Sequence, residues 1–122
     1  MAYLHQWKNS GLYREFSGRV SGEEVLESNL KLQGDPRFDT IKYIINDFLL
    51  VSDIEINIDE IKRIAAIDKA ASLSNSKLKI AMIVKWESLL AWVHMYIESM
   101  KCSSYQFKVF DGFQEAEIWC EK

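Results

Sequence analysis

The chain has 122 residues, 48% of them hydrophobic and 27% charged, with a single proline. That is about one domain's length and enough apolar material to bury a core without staples. Its net charge of -3 lacks the positive field that phosphate backbones require, which removes nucleic acid from the expected partners. Cys102 and Cys120 stand far apart, with no second Cys or His at ligand spacing. Neither a disulfide framework nor a metal site is expected, and reduced thiols in a cytoplasmic setting are the default. No stretch approaches the roughly 18 uninterrupted apolar residues of a membrane span. The opening MAYLHQWKNSG has no basic leader followed by a long apolar run. A soluble chain, touching a membrane at most peripherally, is expected over residues 1–122 as one domain.

In chain order, Tyr3 to Lys8 and Leu12 to Ser17 are short aromatic and aliphatic segments joined by Asn9, Ser10 and Gly11, a sequence suited to a hairpin. Ser21 followed by Glu24 forms a capping box for a helix through Val25, Leu26, Leu30 and Leu32, which Gly34, Asp35 and Pro36 end. Ile41 to Phe48, Leu78 to Val84 and Tyr105 to Phe110 read as strands. Asp47 is expected to close the first of these three. Its following loop, with Ser52 and Asp53, leads to a second capping box at Asn57 and Glu60 and a helix to about Ser72. Further helices are expected over Glu87 to Met100 and Phe113 to Cys120. Strands alternating with helices of this length argue βαβ units and a mainly parallel sheet of about five strands, an α/β fold.

Within the strands, Ile41, Tyr43 and Ile45, then Leu78, Ile80 and Met82, then Tyr105, Phe107 and Val109 are apolar throughout. The alternate positions begin with Lys42, Lys79 and Lys108. One face is therefore expected to carry most helices and the other to be partly solvated.

Searches for reaction centres return little. No GxGxxG, GxxxxGK[ST] or GxSxG occurs, and His5 and His94 are the only imidazoles, both expected at the surface. No catalytic residue and no cofactor is assigned.

Two polar residues interrupt apolar helical stripes: Asn29 in the first helix, and Asp68 among Ile61, Ile64, Ala65 and Ala71 in the second. A buried carboxylate needs a partner. The two side chains are expected to meet each other or backbone groups, as a structural hydrogen bond, as the polar handle of a ligand pocket, or as a catalytic acid. In the third helix Trp86, Leu89, Val93, Ile97 and Met100 make a stripe that should dock on the sheet. Trp92 and Met95 lie outside it with Tyr96 between them, so that patch either packs under a neighbour or faces a second copy, a protein partner or lipid. A pocket for an apolar small molecule would be lined by Trp86, Leu90 and Tyr96.

The segments GLYREFSGRVSGEEV, GDPRFDTIKYIINDF, IAAIDKAAS, LKIAMIV and VFDGFQEAEIW, running in this order from Gly11 to Trp119, together resemble the SpoIIAA-like family. It belongs to the STAS and CRAL-TRIO-related superfamily that includes the anti-sigma factor antagonists. The resemblance implies a right-handed superhelix of βα units with helices mostly on one sheet face, and a regulatory or binding module without catalysis. It also implies a partner-switching regulator controlled by phosphorylation of a serine at the start of the helix after the second core strand. The strand's acid matches as Asp47, but Ile56, Asn57 and Ile58 stand at that helix start, with no hydroxyl and no following glycine. Ser52 is the nearest modifiable residue before it. The CRAL-TRIO side of the resemblance implies instead an apolar or lipid site between helices and sheet.

Overall fold

A computed structural model describes residues 2–122. In chain order its elements are β1 (Tyr3–Trp7), β2 (Gly11–Ser21), α1 (Gly22–Gln33), a 3-10 turn (Pro36–Asp39), β3 (Tyr43–Glu55), α2 (Ile58–Ala71), β4 (Lys79–Ile83), α3 (Glu87–Ser99), β5 (Gln106–Phe110) and α4 (Phe113–Glu121). The strands form one sheet in the order β1-β2-β3-β4-β5. β1 and β2 are the antiparallel hairpin, and every later pairing is parallel. The fold is thus α/β, a succession of βα units on a mainly parallel sheet that opens with a hairpin.

Local chemistry sets the helix starts. The Glu24 N–H donates to Ser21 Oγ at 3.2 Å while Ser21 N–H donates back to Glu24 Oε1 at 3.1 Å. Asn57 and Glu60 repeat this at α2, at 2.8 Å and 3.0 Å. Each reciprocal pair satisfies orphan donors of a first turn.

The larger core lies between the sheet and α1, α2 and α3, and includes Leu12, Phe16, Ile44, Phe48, Ile64, Ile80, Met82 and Val93. α4 covers the opposite face alone, packing Ala116 and Cys120 on Tyr43, Ile45, Ala81 and Ile83. Lys79 and Lys108 flank this thinner layer, their ammonium groups over the rings of Trp119 and Phe110. The expected face assignment is reversed in β3. Tyr43 and Ile45 belong under α4, and Ile44, Asn46 and Phe48 face the three helices. Lys42, whose charge marked that set as the solvated one, stands before the first residue of β3 and so says nothing about the face that Ile44 takes. Leu30, expected in the buried stripe of α1, is 52% exposed; the stripe is Val25, Ser28, Asn29 and Leu32.

β2 and β3 are both longer than their apolar alternation suggests. Gly11 pairs with Tyr43 at one end and Ser21 with Glu55 at the other, so 13 residues of β3 lie against 11 of β2. The register shifts between Glu15 and Ser17 and again between Gly18 and Arg19. Each shift leaves one β3 residue unopposed, as in a β-bulge that bends and twists the strand. Asp47 therefore does not close β3, and Ser52 and Asp53 lie within the strand instead of a loop. Gly18 sits at the second shift with φ of +67°, a conformation that strains any residue with a Cβ. A methyl there would meet nothing within 4 Å. Gly18→Ala should therefore cost about 1 kcal/mol through backbone strain alone, a fall of about 4 °C in Tm by thermal melting. An unchanged Tm would show that the bulge does not depend on this backbone state.

Candidate functional site

Leu12, Arg14 and Phe16 share one face of β2, and the three helices bury all three; Arg14 is 6% exposed. Its pairing partners in the sheet are His5 on β1 and Asn46 on β3. Arg14 Nε–H donates to Asn46 Oδ1 at 2.9 Å, and Nη1–H donates to Asn29 Oδ1 at 2.5 Å and to Ser28 Oγ at 3.0 Å. With its oxygen taken by the cation, Asn29 turns its amide Nδ2 towards Asp68 and donates to both carboxylate oxygens at 3.0 Å. Gln33 Nε2 adds a donor to Asp68 Oδ1 at 2.8 Å, and Tyr96 O–H one to Oδ2 at 2.5 Å. The network thus joins β2, β3, α1, α2 and α3, with one amide between the buried cation and the buried carboxylate.

Every group facing Asp68 is a donor, which the ionised form requires. Burial pushes its carboxyl above the usual range, while Tyr96, Gln33, Arg14 and Asn29 pull it back. Burial also pulls the Arg14 guanidinium down to about 10, still far above neutral pH. Burial, followed by the charge of Asp68, drives the Tyr96 phenol well above its ordinary value, so it stays a donor.

Ser28 links this network to the hairpin. Its oxygen accepts from Arg14, so its proton goes to His5 Nε2, 2.7 Å away. His5 is therefore half-buried in a hydrogen bond and not a free surface imidazole, whereas His94 is exposed. A serine hydrogen-bonded to an imidazole invites a nucleophilic reading, but Ser28 is 0% exposed and no substrate reaches it. Burial first, then Arg14 and Lys31, lower His5 from 6.5 to about 4. A depressed histidine pKa means the folded state binds fewer protons than the unfolded chain. Its contribution is complete above about pH 6.5 and is lost as pH falls towards 4. Discounted for a ring about half open to solvent, the loss should be about 1–2 kcal/mol. Urea denaturation at pH 7 and pH 4.5 should show a steeper decline for the native chain than for His5→Gln. Parallel declines would exclude His5 as the cause.

The residues expected to line one ligand pocket are dispersed. Tyr96 is buried with Leu89, Val93 and Met100 in the stripe of α3 that meets the sheet. Trp92 is half-buried and shares a cavity with Tyr96 and Arg14, Leu90 packs at the margin of the core, and Met95 is 43% exposed. Trp86, expected in the docked stripe, is instead the residue before α3 and is 57% exposed. The cavity with Trp92 and Tyr96 measures about 30 Å³, and a second one, with Asp68, Gln33 and Tyr105, about 20 Å³. Pockets for drug-sized or lipid ligands run to several hundred Å³, so the interior gives the apolar-ligand expectation no support.

A larger concavity, about 260 Å³, lies at the C-terminal edge of the sheet between Val51 to Ile54 of β3 and Trp86, Ser88 and Leu89 at the start of α3. It exists because β4 pairs with β3 only from Tyr43 to Asp47, leaving the rest of β3 with β2 on one side alone. The acids there already have structural work. Asp47 accepts from Tyr13 O–H at 2.5 Å and from the Leu49 N–H at 2.9 Å, and Asp53 accepts from the Ile54 N–H at 2.9 Å. Arg19 pairs with Asp53 and Glu55 across the strands. Asn57 is committed to the α2 cap. Ser52, exposed and unopposed on β2, has no such commitment among the described residues. Leu50 is 59% and Ile58 58% exposed in the same part of the chain.

Arg14 and Ser28 escaped the sequence reading, and His5 was expected at the surface, although a lone arginine alternating with Leu12 and Phe16 is itself a sign of a buried, partnered cation. No protein-family model matches the chain, and no curated protein does. Solved structures similar in fold include the following two. One is an uncharacterised protein of the DUF3478 family with a SpoIIAA-like fold from Shewanella loihica PV-4, at TM-score 0.60 and 16% identity, covering 98% of this chain and 93% of that one. The other is the anti-sigma factor antagonist SpoIIAA in its unphosphorylated form, at TM-score 0.63 and 9% identity, covering 96% and 94%. The chain has the SpoIIAA-like fold over nearly its whole length.

Proposed function

We propose that this chain, with its SpoIIAA-like fold, is a non-catalytic regulatory module that binds a protein partner at the C-terminal edge of its sheet. Trp86 carries the reading. It occupies the N-cap position of α3, where Ser, Thr, Asp or Asn would satisfy an orphan N–H, yet it makes no capping hydrogen bond and is 57% exposed. A large exposed indole at a position where a small polar residue would stabilise the helix has a use outside the fold, and tryptophan is enriched among residues that anchor interfaces. The concavity beside Val51 to Ile54, with exposed Leu50 near it, supplies the remaining surface. One structural neighbour is an anti-sigma factor antagonist, a regulator by its name, which agrees with this class of function. The absence of catalysis is supported by the enclosure of Ser28 and Asp68 in the core.

A photo-crosslinking amino acid at position 50, compared with one at position 73, tests the reading. Leu73 is 88% exposed just after the C-terminal end of α2, away from the proposed surface. The expected result is one partner captured from position 50 and not from position 73. Equal capture, or none, contradicts it. Control by phosphorylation has a narrower basis. Asn57 has no hydroxyl, and Ser52, like Ser88 across the concavity, is an exposed serine of this edge. Peptide mapping of chain isolated from its host should find phosphate on Ser52 if that control operates, and an unmodified Ser52 peptide throughout removes it.

A further inference from the structure

We propose that the cavity beside Arg14 is a binding site for one small anion of halide size, held by Arg14, Asn46 and Trp92. The cavity is about 30 Å³, room for one or two particles the size of water, and too small for phosphate, sulfate or a carboxylate metabolite. Its apolar walls include Phe16, Phe48 and Ile64. Its polar lining is dominated by donors. The Trp92 indole N–H is shielded from solvent and has no acceptor among the described residues. Asn46, 3% exposed, directs its amide N–H at the weak acceptor Met82 Sδ, 3.4 Å away. Arg14 uses Nε and Nη1 for its hydrogen bonds; Nη2 makes none among the described residues but keeps some contact with solvent, so the enclosed unpaired donor at this cavity is Trp92 Nε1. The oxygens on the wall are engaged: Asn29 Oδ1 and Asn46 Oδ1 accept from Arg14, and the Tyr96 hydroxyl donates to Asp68.

The charge distribution points the same way. A buried guanidinium normally touches a carboxylate. The three acceptors of Arg14 are neutral, and Asp68 lies beyond the Asn29 amide. The cavity thus has a buried cation on its wall and no acid in its lining. A water there would satisfy the donors, but its own two hydrogens would find only oxygens already hydrogen-bonded within the network: those of Asn29 and Asn46, which accept from Arg14, and the Tyr96 hydroxyl, which donates to Asp68. A halide accepts from every side and has no hydrogen to place.

Crystals grown or soaked in sodium bromide and measured at the bromine absorption edge should show one anomalous peak within hydrogen-bond distance of Trp92 Nε1 and Arg14. In solution, sodium bromide or chloride should raise Tm relative to equal concentrations of sodium gluconate. The rise should be about 5 °C for each tenfold in halide above its dissociation constant. Trp92→Phe, which keeps a ring and removes the donor, should weaken this halide-specific rise at least threefold. A peak without anomalous signal means an ordered water and overturns the proposal. A bromide peak without a halide-specific rise in Tm means an adventitious ion only and also overturns it. Should Trp92→Phe fail to fold, the diffraction and the native chain's melting curves decide the matter without it.

Discussion

Asp68→Ala should lower the unfolding free energy by about 3–5 kcal/mol, the cost of breaking a buried charge system by removing one member. Three donors lose their acceptor at once: Asn29 Nδ2, Gln33 Nε2 and Tyr96 O–H. Arg14 loses the negative charge that offsets it through Asn29. Asp68→Asn, which keeps the shape but places an N–H among donors, should cost less, about 1–3 kcal/mol. Tyr96→Phe removes a single hydrogen bond and should cost about 1–2 kcal/mol. Combining Asp68→Ala with Arg14→Met should recover part of the loss, because the damage comes from stranding a charge and not from the lost attraction itself. Urea denaturation measures all four. A loss below about 1 kcal/mol for Asp68→Ala would mean that the carboxylate is not the anchor of the network.

Trp86→Ser should separate stability from binding. A serine at this N-cap can accept from a first-turn N–H of α3, a gain of about 0.5–1 kcal/mol over an uncapped start, and little packing is lost from a side chain 57% exposed. Thermal stability should hold or rise. Affinity for the partner captured from position 50 should fall by about 30-fold or more, the effect of removing an aromatic anchor worth about 2 kcal/mol or more. Isothermal titration of the native and substituted chains against that partner gives both numbers. An affinity within threefold of native would remove Trp86 from the interface and leave its exposure unexplained.

Most of the fold could be read from the sequence because its punctuation is local. Ser21 with Glu24 and Asn57 with Glu60 announced two helix starts, and both capping boxes form as reciprocal hydrogen bonds. What could not be read depends on pairings between distant residues. β3 passes Asp47 because β2 also continues past Ser17, and the bulges that reconcile the two strands break the alternation that marks a strand in a sequence. The same hidden pairing placed Ser52 and Asp53 in a supposed loop. The contact of Asn29 with Asp68 was one of several open uses of two polar residues on facing stripes, and the geometry now gives distances of 3.0 Å. The alternation of Arg14 with Leu12 and Phe16 marks a buried cation, but its partners Asn29 and Asn46 lie on other elements that only the fold brings to it. Helical periodicity over Glu87 to Met100 located the apolar stripe but set its first member at Trp86. There the chain is still extended, before the first helical turn, so the period does not yet apply.

Amide hydrogen exchange of the full chain, alone and with the captured partner, tests the central proposal most directly. Exchange should slow at Val51 to Ile54 and in the first turn of α3 after Trp86, where the concavity lies, and stay unchanged along α1 and α4. Protection confined to α1 or α4, with the edge of β3 still exchanging freely, would place the binding surface elsewhere and contradict the account.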